Sequence, residues 1–164
     1  MGKQTNVRLA TMSAVVGALA GGAVVKKVWL DKYHVKKAEV TELETERELL
    51  YCWLQIREQG RSLANYFDGE SKVAVLGMNR LGRLAIDELG EYAAFGVEAE
   101  DFAAVHDHLT VYRLGEDSLP EADVMLVCDI RHIDEKLAAL QEVYDGQILT
   151  LKEALNRIAE ELTS

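Results

Sequence analysis

The chain has 164 residues, a mean hydropathy of −0.06 and a net charge of −10. That length suits one domain with an appendage, and a hydrophobic content of 49% excludes a wholly disordered polymer. The charge is divided unevenly, +3 over residues 1–61 and −13 over residues 62–164, so the larger part repels phosphate backbones and no nucleic-acid partner is expected.

Leu9 to Val25 is uncharged for seventeen residues, with Arg8 before it and Lys26 and Lys27 after it. That is the short end of the length that crosses a bilayer, about 17–25 residues. Val28, Trp29 and Leu30 extend the apolar reach, and Trp29 and Tyr33 stand where interfacial anchors belong. Lys26, Lys27, Lys32, Lys36 and Lys37 outnumber the cations on the N-terminal side, which places the following chain in the cytoplasm. The expectation is a single-pass protein of the cell inner membrane, held through residues 9–25. Gly17 and Gly21 form a GxxxG pair that lets two such helices approach and would support a homodimer. Two alternatives stand beside this one: a signal peptide cleaved near Ala18-Leu19-Ala20, and a glycine-rich soluble N-terminus.

Lys36 to Glu58 lacks Gly and Pro and reads as a helix, with Val40, Leu43, Leu50 and Leu54 at 3–4 spacing and Arg47 interrupting them. An amphipathic helix packed on the domain is favoured over a parallel coiled-coil stalk, because fewer than three clean heptads are present. Gly60 ends it, Ser62 caps a short helix through Phe67, and Asp68-Gly69 turns the chain into the domain. The expected organisation is a membrane anchor over 1–33, a helical stalk or docking segment over 34–67 and an α/β domain over 68–164.

Val73 to Leu76 is an apolar strand that runs into Gly77-Met78-Asn79-Arg80-Leu81-Gly82, followed by a helical pattern through Leu89. Strand, tight glycine turn and helix in that order aim free N–H groups and a helix dipole at one point, which suits a phosphate. Gly96 is expected to break the chain before a second strand, Phe102 to His106, that ends at Asp107. Leu109 to Tyr112 reads as a short third strand and Ala122 to Cys128, after Pro120, as a buried central one. Ile133 to Val143 is a helix, Gln147 to Leu149 the last strand, and Thr150 with Glu153 a capping box on the final helix. Alternating strands and helices predict a Rossmann-like three-layer α/β domain around a mostly parallel sheet of about five strands.

Ligands in such sheets bind beyond the carboxyl ends of the strands. Gly77, Met78, Asn79, Arg80, Leu81 and Gly82 are therefore the candidate phosphate turn, although Asn79 stands where a dinucleotide fingerprint has glycine. Asp107 is the candidate ribose contact, whereas Glu98, Glu100 and Asp101 read as a solvated acidic loop. Arg80 and Arg83 flank the turn and would favour a small anion. Asp129 and His132 are the weak catalytic candidates, equally well explained as helix-start residues. His106, His108 and His132 lack a metal-binding spacing, so no metal is expected. Cys52 and Cys128 form no CxxC and read as reduced, buried thiols.

The segments WLQIREQGRSLANYF (Trp53 to Phe67), KVAVLGMNRLGRLAIDEL, LPEADVMLVCD and ILTLKEAL together resemble a small Rossmann-like module of bacterial capsular and exopolysaccharide gene clusters. Gly77, Gly82 and Asp107 match that family's turn and ribose positions, and Asn79 departs from it. The resemblance covers about two-thirds of the chain and implies NAD or another nucleotide as ligand, without naming a reaction. The leading expectation is a membrane-tethered nucleotide-binding module, accessory or regulatory in cell-surface glycan biosynthesis. The alternatives are an oxidoreductase or nucleotide-sugar-modifying enzyme, and a ligand-free interaction module dimerising through its span and stalk.

Overall fold

The computed structural model describes residues 32–67, 71–99, 109–115 and 118–163. The expected membrane segment, residues 9–25 with Gly17 and Gly21, lies outside them. Among the described residues no helix is long and apolar enough to cross a membrane. The chain divides into two compact units, Met1–Leu43 and Glu44–Ser164.

Residues 32–58 are helical (α1). In the first unit Val40 and Leu43 are exposed. In the second unit α1 buries Leu49, Trp53 and Ile56 in the core and leaves Tyr51 and Leu54 in solvent. Of the expected positions in this unit, Leu50 packs against the core and Leu54 does not, so the packed face is centred on Leu49, Trp53 and Ile56. Trp53 decides it, because its indole N–H donates to the Glu88 carboxylate and its ring fills the core. A 3-10 turn follows at Leu63–Tyr66, where the Asn65 side-chain oxygen accepts from the Ser62 N–H and hydroxyl.

The rest is an α/β unit. Its elements are β1 (Val73–Leu76), α2 (Arg80–Leu89), β2 (Ala93–Glu98), β3 (Val111–Arg113), β4 (Val124–Val127), α3 (Ile133–Val143), β5 (Gln147–Thr150) and α4 (Leu151–Thr163). The five strands are all parallel in the order β3-β2-β1-β4-β5, an arrangement consistent with a Rossmann-like fold. β1 and β4 are buried throughout, as strands covered on both faces must be.

Side-chain alternation divides the core in two. Val73, Val75, Val124 and Leu126 meet α1, α2 and α4 on one face, while Ala74, Leu76, Met125 and Val127 meet Leu140 of α3 on the other. The topology requires this. β1 to β2 steps one way across the sheet and β4 to β5 the other, so right-handed crossovers send α2 and α3 to opposite faces. Thr150 and Glu153 form the expected reciprocal cap at the start of α4.

The second strand differs from expectation. β2 is Ala93–Glu98, reached from α2 through Gly90 and a single 3-10 turn, and Gly96 lies in its middle opposite Val75 and Val111. Gly96 is not a break. A Cβ there would stand 2.8 Å from the Met78 sulfur, so the glycine makes room for the glycine turn's own side chain. Phe102 to Asp107 lies outside the described residues.

Candidate functional site

Sheet order reverses at β1, with β2 on one side and β4 on the other, and the carboxyl tips of these strands define the crevice. The turn from β1 into α2 lies in it. Gly77 has φ +96 and its N–H donates to the Val97 carbonyl at 2.9 Å. A Cβ on Gly77 would come within 2.9 Å of Asp129 Cβ, so this glycine both supplies the left-handed turn and lets it close on the tip of β4. A Cβ on Gly82 would overlap the Gly77 carbonyl oxygen, so α2 leaves the turn at backbone contact distance.

The turn's own polar groups are largely engaged from within. Asn79 is the N-cap of α2, its side-chain oxygen accepting from the Gly82 N–H at 3.1 Å and its amide donating to the Cys128 carbonyl at 3.3 Å. The Met78 N–H donates to Glu98 Oε2 at 2.9 Å, and the Met78 side chain is buried. Arg83 folds back so that its Nε donates to the Met78 carbonyl at 3.2 Å, and Arg80 reaches toward Glu46 at 3.9 Å. The backbone N–H groups of Arg80 and Leu81 have no acceptor among the described residues.

The carboxylate at the tip of β2 is Glu98, not Asp107, which lies outside the described residues. Glu98 is only 9% exposed, so it is no solvated loop acid. Its two oxygens accept separately from the Met78 and Ala99 N–H groups, both at 2.9 Å. Sequence reading missed it because Gly96 hid the strand that Glu98 terminates. The available signal was the close spacing of Glu98 to the end of α2, which suits a short αβ connection.

Asp129 follows β4 and is 8% exposed; it accepts from the Arg131 N–H at 3.0 Å and pairs with Lys136, itself 7% exposed. Its role is therefore a buried ion pair tying the tip of β4 to α3, not a cap. His132 occupies the N-cap position of α3 with φ +47 but makes no side-chain cap, and its exposed ring lies 3.8 Å from Glu135. Burial, with Asp129 nearby, pushes the Cys128 thiol far up and leaves it inert; Cys52 is half-buried and shifted the same way by desolvation. Among the described residues no group of three or more His, Cys, Asp or Glu side chains is placed to hold a metal. A shallow surface concavity lined by Tyr66, Arg157, Glu160 and Glu161 lies toward the far end of α4, away from the strand tips.

No protein-family model, no curated protein and no solved structure matches the chain.

Proposed function

We propose that the α/β unit is a nucleotide-binding module of Rossmann-like type. Residues 9–25 would tether it to the inner membrane with the domain in the cytoplasm. It would act as an accessory or regulatory component of cell-surface glycan biosynthesis. One observation carries the ligand reading: a buried carboxylate, Glu98, is fixed against the glycine turn by the Met78 N–H at the point where the sheet order reverses. An acid at the end of the second strand suits ribose hydroxyls and disfavours a 2′-phosphate by like charge. Glu98 takes the role that the sequence suggested for Asp107, and Gly77, Met78, Asn79, Arg80, Leu81 and Gly82 form the floor beside it. NAD is one ligand of this class. The membrane tether and the glycan setting rest on the sequence of residues 9–25 and on the family resemblance.

A second reading, the ligand-free interaction module, has its own support: the Met78 and Gly82 N–H groups are already bonded within the protein. Thermal unfolding of the full chain with NAD, ATP, nucleosides and UDP-sugars separates the two. A ligand at a hundred times its dissociation constant adds about 2.7 kcal/mol. For a unit of about 120 residues (Glu44–Ser164) that is a rise of roughly 11 °C. A rise that disappears in Glu98→Ala supports nucleotide binding. No rise with any of these ligands leaves the interaction module.

A further inference from the structure

We infer that α1 is two-faced: one face docks on the core, and the other pairs with α1 of a second copy of this chain as an in-register parallel coiled coil. The inference is independent of any ligand in the crevice and goes beyond that reading. Of the eight large apolar side chains exposed among the described residues, six lie on α1, more than a helix that only packs on its own domain requires. In the second unit Tyr51 is 63% and Leu54 54% exposed, beside Leu50, which is divided between the core and this outer face. At about 100° per residue the outer face is centred roughly 140° around the helix from Leu49, Trp53 and Ile56, so docking on the core leaves it open.

The spacing of the outer face is that of a two-stranded coil. Arg47, Leu50 and Leu54 follow one another at intervals of three and four, the a-d-a positions of a heptad. The same register in the sequence takes in Val40 and Leu43, which are exposed in the first unit. Such a seam is too short to fold two free peptides, but here the core already holds α1 helical through Leu49, Trp53 and Ile56. Charge names the occupant. Arg47 is exposed, stands within the apolar seam and has no ion-pair partner among the described residues. An in-register parallel copy sets its Glu46, a g position, beside this Arg47, and its Arg47 beside this Glu46, so one pair of residues serves the two-fold axis twice. Glu46 is open to this, because its contact with Arg80 is a loose one of 3.9 Å. A lipid surface fits less well, since the exposed Glu39, Glu44, Glu48 and Glu58 on and beside the face would meet anionic headgroups.

Cysteine cross-linking of the full chain in detergent micelles tests this, with Cys52→Ser as background and one new cysteine at a time. Under mild copper-catalysed oxidation Leu54→Cys should form the dimer disulfide roughly tenfold faster than Gln55→Cys, one residue round on the outside of the pair. A dimer held only by the membrane span would show no such preference. Arg47→Glu should slow the Leu54→Cys cross-link roughly fivefold, and adding Glu46→Arg should restore it, a rescue that simple loss of structure does not give. Circular-dichroism melts check that each variant folds. Equal rates at the two cysteines, or no cross-link from either in a folded protein, overturn the inference, and a rate unmoved by Arg47→Glu overturns the in-register pairing. A Leu54→Cys thiol that never cross-links but becomes shielded from a soluble thiol reagent when anionic vesicles are added assigns the face to lipid and overturns it as well. All of these outcomes are distinguishable from failure of the nucleotide reading, which is measured by thermal shift and Glu98→Ala.

Discussion

Replacing Gly82 by alanine adds one carbon at the tightest backbone approach of the crevice. That Cβ would overlap the Gly77 carbonyl oxygen and stand 3.0 Å from the Gly77 carbonyl carbon. Relief requires α2 and the turn to separate by on the order of 1 Å, because real Cβ atoms do not come within 3.0 Å of such neighbours. The movement would disturb the Gly77-to-Val97 bond, the Asn79 cap and the packing of Leu81 and Ala85. Overpacking of this kind costs about 1–3 kcal/mol or more, and each disturbed hydrogen bond about 1 kcal/mol. Alanine returns about 1 kcal/mol of helix propensity. The expected net loss is about 2–4 kcal/mol, or roughly 8–16 °C in melting temperature for a unit of this size. Urea denaturation followed by circular dichroism measures it, as a lower midpoint at unchanged slope. Gly60→Ala is the control: Gly60 has φ +75 with open space around it, so only the left-handed backbone penalty of roughly 1–2 kcal/mol applies. A Gly82→Ala protein as stable as wild type would refute the close approach and the turn geometry built on it.

The remaining expectations concern the crevice walls and the last helix. Lys136→Met strands the buried Asp129 carboxylate and should cost about 3–5 kcal/mol; adding Asp129→Asn should recover much of it, and additive losses would argue against the pair. In the native protein a thiol reagent at pH 8 should modify Cys52 slowly and leave Cys128 untouched until the chain is unfolded in urea, whereas rapid native labelling at Cys128 would contradict its burial and raised pKa. The Thr150 N–H and hydroxyl hold the Glu153 carboxyl below its ordinary value. A depressed folded pKa gives stability that is present above the unfolded value and lost as pH falls through the folded one. Glu153→Gln should thus lower stability by about 0.5–1 kcal/mol near pH 7, with the difference from wild type vanishing in acid; a difference that persists below pH 3 would refute the carboxylate's role.

The sequence by itself determined the alternating α/β architecture and the glycine turn after β1. Apolar runs at Val73–Leu76 and Val124–Val127 are buried on both faces, which periodicity and composition register directly. The turn Gly77 to Gly82, α3 over Ile133–Val143 and the Thr150–Glu153 cap are local features, each set by residues a few positions apart. What the tertiary structure decided involves distant partners. Gly96 reads as a breaker because nothing in its neighbourhood tells that Met78 needs its space; only the pairing of β1 with β2 brings the two together. That misreading placed the end of the second strand at Asp107, whereas β2 ends at Glu98. The packed face of α1 was likewise settled by Trp53 reaching Glu88, thirty-five positions away. Asp129 was recognised as polar and near the site, but its pairing with Lys136 depends on how α3 leaves the tip of β4. Asn79 shows both levels in one residue. Its departure from glycine is legible in the sequence, whereas its bridge from Gly82 to Cys128 exists only because β4 lies beside β1. Local spacing fixes which groups are available, and the non-local pairing of strands fixes which of them meet.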